Sequence, residues 1–315
     1  MHPAPFSFCT NLLKDFYKST VRERLYKNKT EVIGMKQKIL TQTIIAAFVA
    51  HLEREEKSKN TVEKYVRDVC AFTAFASDEE VTKELVMGYK SRLLSKNYAP
   101  RSINSMLASL NSLFSFLGWG DCKVKAMKVQ QQIFRPEEKE LTKEDYIRLV
   151  KTAAQKGKER LNLLLQTICS TGIRVSELAY ITVEAARAGE AVVSLKGKTR
   201  SVFLVRDLQK KLLRYAKAQN ITAGAIFITR SGKPMSRTNV WREMKSLCVQ
   251  AGVSPQKVFP HNLRHLFARI FYRLEKDIAK LADMLGHSSI NTTRIYIVTT
   301  GCEHRKRMER MRLIV

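Results

Sequence analysis

Arg174, Lys196, His261, Arg264, His287 and Tyr296, spread through the second half of a 315-residue chain, form the polar set that a phenol would need to cut a phosphodiester. Attack on the phosphorus builds a crowded phosphorane whose equatorial oxygens carry the charge, so the site needs fixed cations with several donors each. A guanidinium can grip two phosphate oxygens at once and stays protonated at any working pH, which makes Arg174 and Arg264 the candidate phosphate clamps. A phenol can become covalently attached if a neighbour takes its proton and cations steady its oxyanion, which makes Tyr296 the candidate nucleophile. Imidazole titrates near neutrality, so His261 is the candidate base and His287 a hydrogen-bond donor to the phosphate or the tyrosine. The departing 5′-oxygen needs a proton, which a lysine beside the phosphate can supply. Val192, Val193, Val202 and Val205 flank Lys196-Gly197-Lys198, a pattern of two β-branched strands around a turn with lysine at its tip. Lys196 and Lys198 are both candidates there for the general acid.

Each residue has a plainer reading when taken alone. Arg174 could salt-bridge Glu177 one helical turn on, although Thr171-Gly172 predicts a break that aims the arginine at the start of an apolar helix, where anions bind well. His261 and His265 are four apart, as metal ligands often are, but the glutamate of a zincin motif and a third ligand are both missing. His265 reads instead as a packed residue beside the apolar stripe Leu263, Leu266, Phe267, Ile270 and Phe271. Tyr296 between Ile295 and Ile297 could be core, and Tyr272 competes with it as a nucleophile but sits within the preceding helix. Leu281, Met284 and Leu285 followed by Gly286 predict a helix closed by glycine, with His287 just past its end.

Three strings carry this set in order: Thr171-Gly172-Ile173-Arg174-Val175-Ser176-Glu177-Leu178, then His261-Asn262-Leu263-Arg264-His265, then Leu285-Gly286-His287 followed after nine residues (296 − 287 = 9) by Tyr296. Together they resemble the tyrosine recombinase (phage integrase) family, most closely the Xer-like and transposon integrases. The polar, hydroxyl-rich bridge Ser288-Ser289-Ile290-Asn291-Thr292-Thr293 has the family's character, and the family's general-acid lysine sits on such a hairpin; the turn is about one residue shorter than the usual Gly-Lys-Gly-X-Lys form, so the resemblance prefers Lys196 with Lys198 the alternative. The resemblance implies a mainly α chain, with an N-terminal SAM-like helical bundle and a C-terminal tyrosine recombinase catalytic domain of the DNA breaking-rejoining fold that holds a small β-hairpin. It also implies a site-specific recombinase working through a 3′-phosphotyrosyl intermediate and a Holliday junction. Its partners would be double-stranded DNA with inverted half-sites and further copies of the chain, as a dimer and then a synaptic tetramer, with no metal and no cofactor. The alternatives are a type IB topoisomerase-like relaxing enzyme and a non-catalytic DNA-binding protein derived from a recombinase.

The rest of the chain must position these groups. From Thr41 to about Trp119, four segments have helical period: one through Ile44, Phe48 and Leu52, one opening at Asn60 with Glu63 as capping partner, one from Thr82 to Leu94, and one after Pro100. They predict a DNA-binding bundle over 35–123, with Lys57, Lys59, Lys64, Arg67, Lys90, Arg92, Lys96 and Arg101 as candidate contacts or a solvated face. A polar linker over 124–140 would lead to a catalytic domain over 141–302, opening with Thr142 as a helix cap and Asp145 three residues on. Arg230, Lys233, Arg237 and Arg242 cluster around a turn and the helix start near Ser236, as phosphate contacts or as a solubilising face. Residues 1–34 form an extension that could be an upstream start, an arm or a DNA-contacting helix. In the tail, 303–315, Leu313, Ile314 and Val315 could plug a neighbouring subunit or fold back.

Composition agrees. Lys+Arg number 56 against 29 Asp+Glu, a formal charge of +27 that favours polyanions and salt-sensitive binding, although a merely basic soluble or ribosomal protein would share it. With 44% hydrophobic residues the chain can bury two cores. No apolar run is long enough to span a membrane, and charge interrupts the first residues too early for a secretory signal. Cys9, Cys70, Cys122, Cys169, Cys248 and Cys302 have no paired spacing, which predicts reduced thiols in a cytoplasmic, nucleoid-associated protein.

Overall fold

The computed structural model describes residues 37–129, 137–195, 197–297, 305 and 308–311. The extension 1–34, Gln130, Gln131, Gln132 and Pro136 of the expected linker, Lys196, Cys9, Cys302 and the terminal Leu313, Ile314 and Val315 lie outside them. The chain divides into two compact units on either side of the Gln131–Gln132 bond.

The first unit is four helices, α1 (Gln42–Arg54), α2 (Lys59–Ala76), α3 (Lys83–Ser95) and α4 (Pro100–Leu117). Their apolar positions recur at helical spacing, and Ile44, Phe48, Val66, Phe72, Val86, Ile103, Leu110 and Phe114 are all fully buried, each contributing roughly 1.5–3 kcal/mol by leaving water. Thr41 and Thr82 cap α1 and α3 by accepting from Ile44 N (3.4 Å) and Leu85 N (3.2 Å). Pro100 begins α4, where its missing N–H costs nothing, and Gly118 ends it in the left-handed region (φ 75°). The expected opening of α2 at Asn60 is displaced: Ser58 is the N-cap, and its hydroxyl pairs with Thr61 Oγ1 rather than a backbone N–H.

The bundle also extends past residue 123. Val124 is buried, Asn111 exchanges hydrogen bonds with Val124 (3.0 and 3.2 Å), and Asn104 does the same with Met127 (2.9 and 2.7 Å). Two of the basic residues that were candidates for DNA contact or a solvated face are bonded inside this unit. Lys64 pairs with the buried Asp68 at 2.7 Å, and Lys90 donates to Lys125 O at 3.0 Å.

The second unit opens with α5 (Lys143–Gln155), where the Thr142–Asp145 capping box forms in both directions (3.0 and 3.2 Å). It continues with α6 (Glu159–Thr171), a 3-10 helix (Val175–Tyr180) and α7 (Val183–Ala188). The hairpin β1 (Glu190–Leu195) and β2 (Lys198–Phe203) follows, antiparallel with Val193 opposite Arg200. Ala191, Val193 and Val202 face the core while Val192 and Phe203 face outward, the period-2 alternation of a sheet buried on one side. Helices α8 (Arg206–Ala218), α9 (Arg237–Lys245), α10 (Pro260–Glu275), α11 (Ile278–Leu285) and α12 (Ile290–Ile297) complete it.

Helix α6 is the spine of this unit. Leu161, Leu164, Leu165 and Ile168 are buried along it, and it ends at Gly172 with φ 64°. A Cβ there would come within 2.5 Å of the Phe267 ring of α10, so glycine is required both by conformation and by close approach. Cys70, Cys122, Cys169 and Cys248 are buried, and no disulfide joins any two of them. Among the described residues no helix is long and apolar enough to cross a membrane.

Candidate active site

Arg174 leaves α6 two residues after its terminal glycine and is the N-cap of the 3-10 helix. The expected apolar α-helix is thus a tighter 3-10 segment, because Glu177 turns back on the cap. Its carboxylate, 2% exposed, accepts from Arg174 N (2.9 Å), Arg174 Nη1 (2.8 Å) and Arg200 Nη2 (2.6 Å). Burial pushes the Glu177 pKa up, but the Arg174 hydrogen bonds and the Arg200 charge outweigh it and hold the group below its ordinary value. The plain reading of Arg174 as a partner of Glu177 therefore holds, and the same side chain also reaches Gly286 O at 3.1 Å.

The carboxyl end of α11 is where the second half of the site converges. Arg200 Nη1 donates to Met284 O (2.8 Å), Arg264 Nη2 to Leu285 O (2.6 Å) and Arg174 Nη2 to Gly286 O. Three guanidiniums thus take three successive carbonyls at the negative end of a helix, which offsets part of their mutual repulsion. Arg264 is 1% exposed and also donates to Gly172 O, tying α10 to the end of α6. Burial first, and then the Arg174 charge, lower its pKa to about 10, so it remains protonated near neutrality.

His287 follows Gly286, whose left-handed backbone (φ 63°) turns the chain off α11. Arg264 Nη2 lies 3.0 Å from His287 Nε2; a guanidinium can only donate, so Nε2 accepts and the ring proton sits on Nδ1. That proton points to Thr293 Oγ1 at 2.9 Å. Burial, with the charges of Arg264, Arg174 and Arg200 next, pushes the His287 pKa down to about 4, so the imidazole is neutral. The donor role expected for His287 toward phosphate or tyrosine is therefore directed elsewhere here: both nitrogens are engaged, one by Arg264 and one by Thr293.

Thr293 and Tyr296 share a face of α12 at i, i+3. Tyr296 is 6% exposed, its ring stacked on His265 at 4.0 Å between centroids, with the Arg264 guanidinium 5.9 Å from the ring centre. Its hydroxyl stands 3.4 Å from Nε2 of the exposed His261. That is long for such a bond, so the phenol is near its expected base but not firmly engaged. His265 is the packed residue the sequence predicts, 2% exposed. Tyr272, the competing phenol, lies in α10 and packs against the cluster of Ala268, Leu281, Leu285 and Tyr296.

Arg174, His261, Arg264, His287 and Tyr296 are thus brought into one neighbourhood. Lys196 lies outside the described residues, and Lys198 opens β2. Sequence reasoning missed Arg200 and Thr293. The alternation of β2, with Val202 inward, marked Arg200 as inward-facing, and the i, i+3 spacing to Tyr296 marked Thr293. Counting Arg174, Arg200 and Arg264 against Glu177, the cluster carries a surplus of two positive charges (3 − 1 = 2), which suits a site for an anion.

Residues 139–300 match the phage integrase family, and residues 45–120 match the phage integrase N-terminal SAM-like domain. Among curated proteins the chain is similar to the tyrosine recombinase XerA of Pyrococcus furiosus, 28% identical over 89% of this chain and 98% of that one. It is also similar to the tyrosine recombinase XerC of Thermodesulfovibrio yellowstonii, 29% identical over 81% of this chain and 91% of that one. In fold it resembles a lambda integrase dimer bound to a COC′ core site, with TM-score 0.67 and 17% identity over 82% of this chain and 95% of that one. XerH bound to palindromic difH in a post-cleavage complex gives TM-score 0.65 and 17% identity over 92% and 93%.

Proposed function

This chain belongs to the phage integrase family, and on that footing we propose that Arg174, Arg264, His261, His287 and Tyr296, with Lys196, carry out site-specific DNA recombination. The chain is a tyrosine-type site-specific recombinase whose substrate is double-stranded DNA. The observation that carries the residue assignment is the convergence of Arg174 and Arg264 on adjacent carbonyls of one helix end, with Tyr296 beside them.

In the proposed reaction the scissile phosphate enters between the guanidiniums and takes up their uncommitted N–H groups. The Tyr296 hydroxyl gives its proton to His261 and attacks the phosphorus. Lys196, or Lys198, protonates the departing 5′-oxygen, leaving a 3′-phosphotyrosyl bond that stores the energy of the broken linkage. A 5′-hydroxyl from a partner duplex reverses the step. Strand exchange through a Holliday junction would need a dimer on inverted half-sites and a synaptic tetramer. Since Tyr296 is packed against His265, attack requires α12 to shift so that the phenol swings toward the arginines. Positive charge comes from the protein, so the chemical step needs no metal and no cofactor.

A nicked suicide substrate tests the reading, because loss of the short 5′-fragment traps the covalent complex. The wild-type protein should yield a DNA–protein adduct in chelator, and Tyr296→Phe should yield none. An adduct that persists in Tyr296→Phe removes the nucleophile assignment. Exchange of strands between two duplexes, rather than relaxation of one, separates recombinase from topoisomerase, and the absence of any adduct would leave only DNA binding.

A further inference from the structure

Arg200 and Arg174 hold opposite oxygens of one carboxylate but are placed very differently. Arg200 is 12% exposed at its side chain, and its two terminal nitrogens donate inward to Glu177 Oε2 and Met284 O. Its Nε is buried with no hydrogen-bond partner among the described residues. Arg174 is 39% exposed at its side chain. It commits one donor of Nη1 to Glu177 Oε1 and one of Nη2 to Gly286 O, which leaves the remaining N–H groups of its fork for an external ligand. Both terminal nitrogens of the buried arginine are turned into the protein, whereas the exposed one keeps part of its fork accessible.

That division has a physical consequence. A carboxylate and a guanidinium prefer two parallel hydrogen bonds, and Glu177 would take both terminal nitrogens of Arg174 if Oε2 were vacant on that side. Oε2 accepts from the Arg174 backbone N–H and from Arg200, and with Arg200 on its remaining lone pair the Arg174 guanidinium meets the carboxylate through Nη1 only. We propose that Arg200 is a positioning residue that keeps the Arg174 fork turned toward the phosphate by occupying the second oxygen of Glu177. The same side chain fastens the hairpin to the end of α11: Gly286 must lack a Cβ because one would come within 2.4 Å of Arg200 Cδ. This inference rests on the reading of Arg174 as a phosphate clamp.

A pair of substrates isolates the effect. In one the scissile phosphodiester is ordinary; in the other a methylphosphonate replaces it, removing the equatorial negative charge that Arg174 is there to hold. Strand breakage is followed in single turnover for the wild type and Arg200→Gln, and each variant rate is divided by the wild-type rate on the same substrate. Arg200→Gln should slow the phosphodiester by about tenfold to a hundredfold, the usual cost of misplacing a reacting group, and leave the methylphosphonate near the wild-type rate. Equal slowing on both substrates overturns the proposal, since a merely structural role would not distinguish them, and so does an unchanged phosphodiester rate. If Arg200→Gln melts below the assay temperature, Arg200→Met is read by the same criteria; it keeps an apolar stem of similar length but places no donor on Glu177 Oε2. A wild-type protein that breaks neither substrate would overturn the recombinase reading instead, so the two failures are distinct.

Discussion

The neutral imidazole of His287 is the residue whose state depends most on its neighbours. Its pKa falls from 6.5 to about 4 because burial and three guanidiniums penalise the imidazolium. A histidine with a depressed folded pKa binds fewer protons when folded than when unfolded in the window between those values. Its contribution to stability is therefore fully present above about pH 6.5 and is lost as pH falls toward 4. Because the ring is only half-buried, solvent screening reduces the effect to on the order of 1–2 kcal/mol. Denaturation curves between pH 4 and 7 should show that slope in the wild type and a shallower one in His287→Asn. Identical slopes would mean that the ring is not held neutral by the cluster. Thr293 matters at the same scale, since its hydroxyl fixes which ring nitrogen bears the proton and so leaves Nε2 to accept from Arg264.

Helix ends decide the geometry one level up. Gly172, Gly286 and the N-cap of the 3-10 helix turn three chain segments toward one point, and at both glycines a Cβ would collide with a neighbouring side chain. Gly286→Ala would put a side chain into the left-handed region, at a cost of about 1–2 kcal/mol, and drive its Cβ into Arg200. We expect cleavage to fall by about tenfold or more as the helix end and Arg200 separate; a variant that melts earlier yet cleaves at the wild-type rate would show the two are uncoupled. In the first unit, capping makes a cleaner comparison. Thr82 accepts a backbone N–H at the start of α3 and Ser58 accepts none at the start of α2. Thr82→Ala should destabilise by about 1 kcal/mol in urea titrations, and Ser58→Ala by clearly less. Equal losses would indicate that the hydroxyl of Ser58 caps α2 in solution.

At the scale of the whole molecule the governing quantity is charge. A formal +27 on 315 residues means that DNA association releases many counterions, so log K should fall linearly and steeply with log salt. Filter or anisotropy titrations on a duplex between low and physiological salt check this, and a flat dependence would show that the positive surface does not face the phosphates. Not every basic residue contributes. Lys64 and Lys90 are bonded within the first unit, and Arg200 and Arg264 are bonded within the second, so the slope should be well below one per positive charge.

Periodicity, caps and motif order made the elements legible in the sequence, because they are local properties. The spacing of Ile44, Phe48 and Leu52, the Thr142–Asp145 box and the glycine after Leu285 each act within a turn or two of chain, and the helices at those places begin and end accordingly. That Arg174, His261, Arg264, His287 and Tyr296 belong together was legible for a different reason: the proposed chemistry accepts few residue types, so the set stands out as a pattern, and the structure brings these five side chains into one neighbourhood. Tertiary structure alone decided which contacts those side chains make with one another. That Glu177 is shared by two arginines, that Arg200 comes from a hairpin to the end of α11, and that His287 Nε2 accepts from Arg264 while Nδ1–H donates to Thr293 depend on contacts between segments up to 112 residues apart. Such contacts follow from packing and from the need of every buried donor to find an acceptor, and neither condition is written in the residues on one side of the bond.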